Sequence, residues 1–146
     1  MATLLRSIGA IFAALLVAFL MVMGVELFSS VVHPLPEDFT GSMEEMCQHV
    51  ANYPDWVLAV AAALWTGIAL ATTWIAGRLG NRASALFVGL VLLAMLILNI
   101  SMLPYPIWFK VANLVALPSA ALAGAYLSSR PGAAVETPPT SNATNT

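Results

Sequence analysis

Residues 7–39 read "SIGAIFAALLVAFLMVMGVELFSSVVHPLPEDF". No charged residue interrupts the run from Ile8 to Val25. An α-helix needs ~20 predominantly apolar residues to cross the hydrocarbon core of a bilayer. The stretch therefore predicts a membrane-spanning helix that stops at Pro34 and Pro36, because proline cannot continue the backbone ladder. Its apolar core is longer than the ~7–15 residues of a secretory leader, and no small-x-small cleavage site follows it. A retained helix is the expectation. Glu26, inside the last turns of this run, is the residue that apolar composition does not explain.

The rest of the chain follows the same logic. Of 146 residues, 60% are hydrophobic and 8% charged, against ~25% charged in an ordinary soluble domain. Mean hydropathy is +0.89. Spans are expected at about 7–32, 55–77, 83–103 and 107–128. The predicted fold is all-α: a polytopic, four-helix transmembrane bundle over residues 1–128. An outer loop, 33–54, carries a short amphipathic helix. Residues 129–146, polar and rich in Pro, Thr and Asn, are expected to form a disordered cytoplasmic tail. A net charge of −2 with no Lys/Arg cluster points away from nucleic acid. The single cysteine, Cys47, excludes an internal disulfide and a CxxC redox motif.

Charge placement predicts orientation. Arg6, Arg78, Arg82 and Arg130 fall on one side if the spans alternate, and Lys110 falls on the other. Positive residues favour the cytoplasmic side, so both termini are expected inside, in a bacterial inner (plasma) membrane. The outer loop then carries Glu37, Asp38, Glu44, Glu45 and Asp55. Tyr53, Trp56, Tyr105 and Trp108 would mark the outer headgroup level, with Trp74 and Tyr126 at the inner one.

Local signals refine the connections. "SMEE", Ser42 to Glu45, matches a capping box, and Met43, Met46, Cys47 and Val50 then recur at helical spacing on one face. Glu44, Glu45, Gln48 and His49 fall on the others. Asn52 or Asp55 is expected to cap the second span, with Pro54 in its first turn. Gly80 is the expected cap of its C-terminus. The prolines of "LPYP" make the third and fourth spans antiparallel neighbours. Ala59, Ala63, Gly67 and Ala71, and Ala112, Ala116, Ala120, Gly124 and Ser128, are small residues four apart, which lets helix backbones approach closely. Packing within the bundle is the first expectation for both stripes and a homodimer surface the second. Pro118 should kink the fourth span.

Glu26, Ser29, Ser30 and His33 recur at i, i+3, i+4 and i+7 and so share one helix face. At 1.5 Å per residue, Glu26 lies roughly 10 Å below Pro34, Asn99 about 7 Å below Pro104, and Lys110 and Asn113 about 6 and 10 Å below Pro106. These seven residues form the candidate polar layer in the outer half of the membrane. A buried charge needs a partner. A Glu26–Lys110 pair supported by Asn99, Asn113 and Ser30 is the expectation, acting as a lock between the first and fourth spans or as a small vestibule for an ion, proton or solute.

Other chemistry is thinner. Glu45 and His49 stand at i, i+4 with Cys47 between and His33 nearby, but without a zinc-ligand spacing. Ser29, His33 and Glu26 lie on one helix with no second element to supply an oxyanion hole. No phosphate loop, haem or iron–sulfur motif is present, so neither cofactor nor metal is expected.

"VELFSSVVHPLP" closing the first span, the acidic loop, and "NISMLPYPIWF" between the third and fourth spans resemble a family of small, uncharacterised bacterial inner-membrane proteins with four transmembrane helices. That resemblance covers nearly the full chain and implies fold and location, with no activity attached. A glutamate in the first of four helices is also similar to the small multidrug-resistance transporters. There it sits near mid-membrane, whereas Glu26 lies near the outer end, and the acidic loop departs from that pattern. The functional expectation is a non-enzymatic membrane protein, structural or accessory to a partner. The alternative is a small transporter or channel-like oligomer using the Glu26 layer. The expected partners are the lipid bilayer and a second copy or another membrane protein.

Overall fold

The computed structural model describes residues 1–129. Five helices follow in order: α1 (Ala2–Val32), α2 (Met43–Ala51), α3 (Asp55–Leu79), α4 (Arg82–Met102) and α5 (Ile107–Ser128). Among the described residues, α1, α3, α4 and α5 are long and apolar enough to cross a membrane. They turn large apolar side chains such as Phe12, Leu90 and Val115 outward. Apolar contact with lipid, not burial, is what stabilises such positions. The all-α four-helix architecture is the one expected from the sequence. Arg130 and nearly all of the predicted tail lie outside the described residues.

α1 begins at Ala2 rather than near residue 7. Its early start is held by polar contacts: Arg6 Nε donates to the Leu79 carbonyl at 2.7 Å, and Asn81 Nδ2 donates to Ser7 Oγ at 2.8 Å. Arg6, Arg78 and Arg82 therefore gather at one end of the bundle. From Arg6, Glu26 is ~30 Å further along the helix, about one hydrocarbon thickness. Glu26 thus reaches the opposite edge of the membrane core, where a carboxylate costs less than at the centre.

α3 is the hub. It packs against α1, α4 and α5, while the backbone of α1 comes close to α3 and α4 but, among the described residues, not to that of α5. Small residues on α5 set this arrangement. A Cβ added at Gly124 would meet Thr73 Oγ1 and lie 2.5 Å from the Leu70 carbonyl. Thr72 and Thr73, both fully buried, donate back to Ile68 and Ala69 carbonyls at 2.6 and 2.7 Å. Their hydroxyls are thereby satisfied without water. The lower part of the α5 stripe, Ala120, Gly124 and Ser128, is buried as expected.

The α3 stripe behaves differently. Ala59, Ala63 and Gly67 are exposed, and the space beside Gly67 is open. The face of α3 that packs inside the bundle instead runs through Val57, Ala61, Ile68, Thr72 and Ala76. Spacing identifies a small-residue face but not which neighbour meets it.

Caps differ in detail too. Neither Asn52 nor Asp55 caps α3, whose N-cap position is Pro54. Asn52 instead closes α2, its Nδ2 donating to the Gln48 carbonyl at 2.9 Å. Asp55 accepts from Trp108 Nε1 at 3.2 Å, tying the first turns of α3 and α5 together. Gly80 does close α3, with φ −107. A left-handed turn is not what requires glycine there. An added Cβ would lie 2.9 Å from Ala10 Cβ on α1.

Replacing Gly124 by Ala should cost ~1–3 kcal/mol, as expected for overpacking against backbone. Gly67→Ala, facing open space, should be neutral or stabilising. Reversible unfolding in bicelles compares the two, and equal effects would remove Gly124 from the role assigned to it.

Candidate functional site: a chamber around Glu26

The site starts from helix phase. On α1, Val25 and Ser29 are buried against the bundle. Glu26 is one residue on, rotated by ~100°, and remains exposed at the edge of that contact. There it lines two adjoining cavities, each of about 150 Å³. Glu26, Trp65 and Asn99 belong to both and form the partition between them. The lower cavity is otherwise apolar, walled by Val22, Ile68, Leu92, Met95, Leu96 and Leu117. The upper one adds Ser29, Tyr53, Tyr105 and Phe109 and is roofed by Met46 and Val50 of α2.

The polar groups here are one carboxylate, the Asn99 amide, the Trp65 indole and the hydroxyls of Ser29, Tyr53 and Tyr105. Asn99 Oδ1 is shielded and has no hydrogen-bond partner. Burial, followed by the Glu26 charge and Tyr53, pushes the Tyr105 phenol up to about 12. Burial and then Glu26 also raise Tyr53, while its hydrogen bond to Ser29 works the other way. Both phenols therefore stay protonated and neutral at physiological pH. Tyr105 stacks on the fully buried Phe109 with ring centroids 4.7 Å apart, and Trp65 meets Phe109 edge-on at 5.7 Å.

The roof is built as its sequence suggests. Glu45 N donates to Ser42 Oγ at 3.2 Å and Ser42 N to Glu45 Oε2 at 3.4 Å, a complete capping box. Thr40 adds two donors to the same Glu45 oxygen, each at 2.9 Å. The Thr40 backbone and then its hydroxyl hold the Glu45 carboxyl below its ordinary value. Cys47 Sγ rests 4.0 Å from the Met102 carbonyl, seating α2 on the end of α4.

Of the seven residues of the predicted layer, Glu26, Ser29 and Asn99 come together. Lys110 does not join them. It is half-buried on α5, whose backbone stays away from that of α1, and the expected Glu26–Lys110 pair is absent among the described residues. The reason is topological: α3 and α4 stand between the two helices. Asn113, also on α5, is fully buried. Its Nδ2 donates to the Phe109 carbonyl at 2.9 Å, its Oδ1 has no partner, and it lines neither cavity. Ser30 is exposed and donates to the Leu27 carbonyl at 2.8 Å.

His33 leaves the layer for the roof. Its ring stacks on His49 at 4.4 Å with an interplanar angle of 23°, and both rings contact Tyr53. His49, expected on a solvated face, is buried instead. His33 Nε2 is shielded and unpartnered. A third cavity of about 420 Å³ lies outside this stack, between Pro34–Pro36 and α2, with Asp38 and Glu45 in its wall. Burial, and then the nearby His33, lowers the affinity of His49 for a proton.

Sequence reasoning passes over Tyr53, Tyr105 and Trp65 as chamber residues. The two tyrosines read as headgroup anchors, a role that exposed Trp56 and Trp108 fit better. One signal was available: Tyr105 is four residues before Phe109, at the head of the Phe109–Asn113–Leu117 stripe that α5 buries.

Fold and site together define a multi-pass, four-helix membrane protein with a small polar-ended chamber under an extramembrane cap. Comparison with protein-family models, characterised proteins and solved structures finds no match to any of them.

The separation of Glu26 from Lys110 predicts additive effects of Glu26→Gln and Lys110→Met on stability, within ~0.5 kcal/mol. A cycle of unfolding measurements returning a larger coupling would restore the pair. A second expectation concerns pH. A histidine whose folded-state affinity for protons is lowered takes up more protons when unfolded, so its contribution is present above its ordinary value of 6.5 and lost as pH falls through that region. Hydrogen-exchange protection of α2 should fall between about pH 7.5 and 5.5 and lose that dependence in His49→Phe.

Proposed function

We propose that this chain is a non-enzymatic protein of a bacterial inner membrane, with both termini cytoplasmic. In this reading it binds a small donor-bearing or cationic solute in the Glu26 chamber, as a small transporter or channel-like protein does. One observation carries the reading: Glu26 and Asn99 line the same two cavities, with no cationic side chain of α1 or α4 beside them in the outer half, and Asn99 Oδ1 is shielded and unpartnered among the described residues. Leaving a buried acceptor unpaired costs ~1–3 kcal/mol. A ligand that brings donors recovers that cost, and a static lock between Glu26 and Lys110 does not require this arrangement. The gathering of Arg6, Arg78 and Arg82 at the opposite end supports the orientation.

A second reading, a structural or accessory role, is favoured by the exposed Ala59–Ala63–Gly67 face of α3. Small residues facing lipid offer a close-approach surface to a second copy or another membrane protein.

Propylammonium, a minimal cationic donor, should raise the Tm of the protein in phosphatidylcholine nanodiscs in a saturable way. Glu26→Gln should abolish the shift and Glu37→Gln, in the outer loop, should preserve it. No shift, or the same shift in all three proteins, would remove the chamber as a binding site. For orientation, Glu37→Cys in a Cys47→Ser background should react with an impermeant thiol reagent on intact cells, and labelling only after lysis would reverse the topology.

A further inference from the structure

We infer that the groove between α1 and α4 is a lateral entrance for a long-chain primary alkylammonium. Its head binds at Glu26 and Asn99, and its tail leaves past Val22 and Met95 into the bilayer. The inference rests on the reading of the Glu26 chamber as a binding site and names the class of ligand.

Three features select that class. The first is polarity: among the described residues, Glu26 supplies a charge without a counter-ion, and Asn99 Oδ1, shielded at the chamber wall, is an acceptor without a donor. A cation carrying N–H bonds satisfies both, whereas a quaternary ammonium leaves the amide oxygen unpaired. Trp65 lines the same cavity and Tyr105 the adjoining one, and aromatic rings close to a cation favour it further. The second feature is the apolar wall below. Five of the nine side chains around the lower cavity are aliphatic, with Met95 a sixth apolar member. Met95 is 61% exposed on the membrane-facing surface, so the cavity opens sideways into lipid. The third is size. About 150 Å³ is below the ~300 Å³ at which sites enclosing a whole small molecule begin. The protein encloses a head and the first methylenes, and the bilayer solvates the remainder.

The same features select against a zwitterionic phospholipid. Its phosphate would stand beside Glu26. α1 and α4 carry their arginines at the opposite end, α3 carries only Arg78 there, and Lys110 lies on α5, whose backbone stays away from that of α1, and it lines neither cavity. Nothing near the head position neutralises a second anion.

The test is calorimetric titration of the full-length protein in phosphatidylcholine nanodiscs, with protein-free discs as reference. Dodecylammonium should bind saturably and tighter than propylammonium. Dodecyltrimethylammonium should be about tenfold weaker, and that gap should close in Asn99→Leu. Glu26→Gln should weaken both amines about tenfold, as loss of a charge-assisted contact does. Met95→Trp fills the sideways opening and should cancel the advantage of the tail while sparing propylammonium, which doubles as the check that this variant is folded. If Met95→Trp leaves the advantage of the tail intact, the entrance is overturned and the Glu26 site survives. If Glu26→Gln leaves both amines unaffected, the site itself falls with it. Full displacement of dodecylammonium in phosphatidylethanolamine-containing discs would assign the groove to a phospholipid and overturn the inference.

Discussion

The close approach of α5 to α3 at Gly124 is the constraint from which the other positions follow. With no side chain at that point, the α5 backbone settles against Thr73 and the Leu70 carbonyl. In lipid the hydrophobic effect does not press helices together, so this kind of backbone-level contact is what orders them. Once α5 occupies that side of α3, and α4 fills the angle between them, α1 is left with the groove between α3 and α4. The separation of α1 from α5, and hence of Glu26 from Lys110, is a consequence of that seating.

The outer half of the bundle shows what this separation does chemically. A carboxylate paired with a lysine would have been a closed, self-satisfied feature. Glu26 instead faces neutral phenols and an amide oxygen that already lacks a donor. A carboxylate and an unpartnered amide oxygen share this space, and among the described residues Lys110 makes no pair with Glu26. α2 sits over this chamber, held by its own capping box, by the Cys47 contact to the end of α4, and by the His33–His49–Tyr53 stack. The roof and the chamber share Tyr53 as a common wall, so changes in the histidine stack are mechanically adjacent to the phenol that faces Glu26.

The polar layer divides along a line that physical reasoning from spacing cannot see. Glu26, Ser29 and Asn99 were legible because depth along a helix follows from 1.5 Å per residue. Depth places residues in a common layer but leaves open which helices are neighbours. Lys110 and Asn113 share that layer and still fall elsewhere. Ser30 shares the helix face with Glu26 by period, yet its hydroxyl returns to its own backbone, as serine often does within a helix. His33 reads by period as part of the polar layer, and His49 as part of a solvated helix face. Their stacking requires the loop from Pro34 to Ser42 to fold α2 back over the bundle.

The sequence by itself determined that this chain carries four helices long and apolar enough to cross a membrane, where they end to within a few residues apart from the early start of the first, and that a short capped helix lies between the first two. Those features depend on apolar length, proline and capping chemistry, all of them local. Tertiary structure alone decided which spans touch, which of two small-residue stripes is buried, and what Glu26 faces. These depend on side-chain volume at contact points such as Gly124 and Gly80, where a single Cβ decides whether two backbones can meet, and no one-dimensional pattern encodes the neighbour.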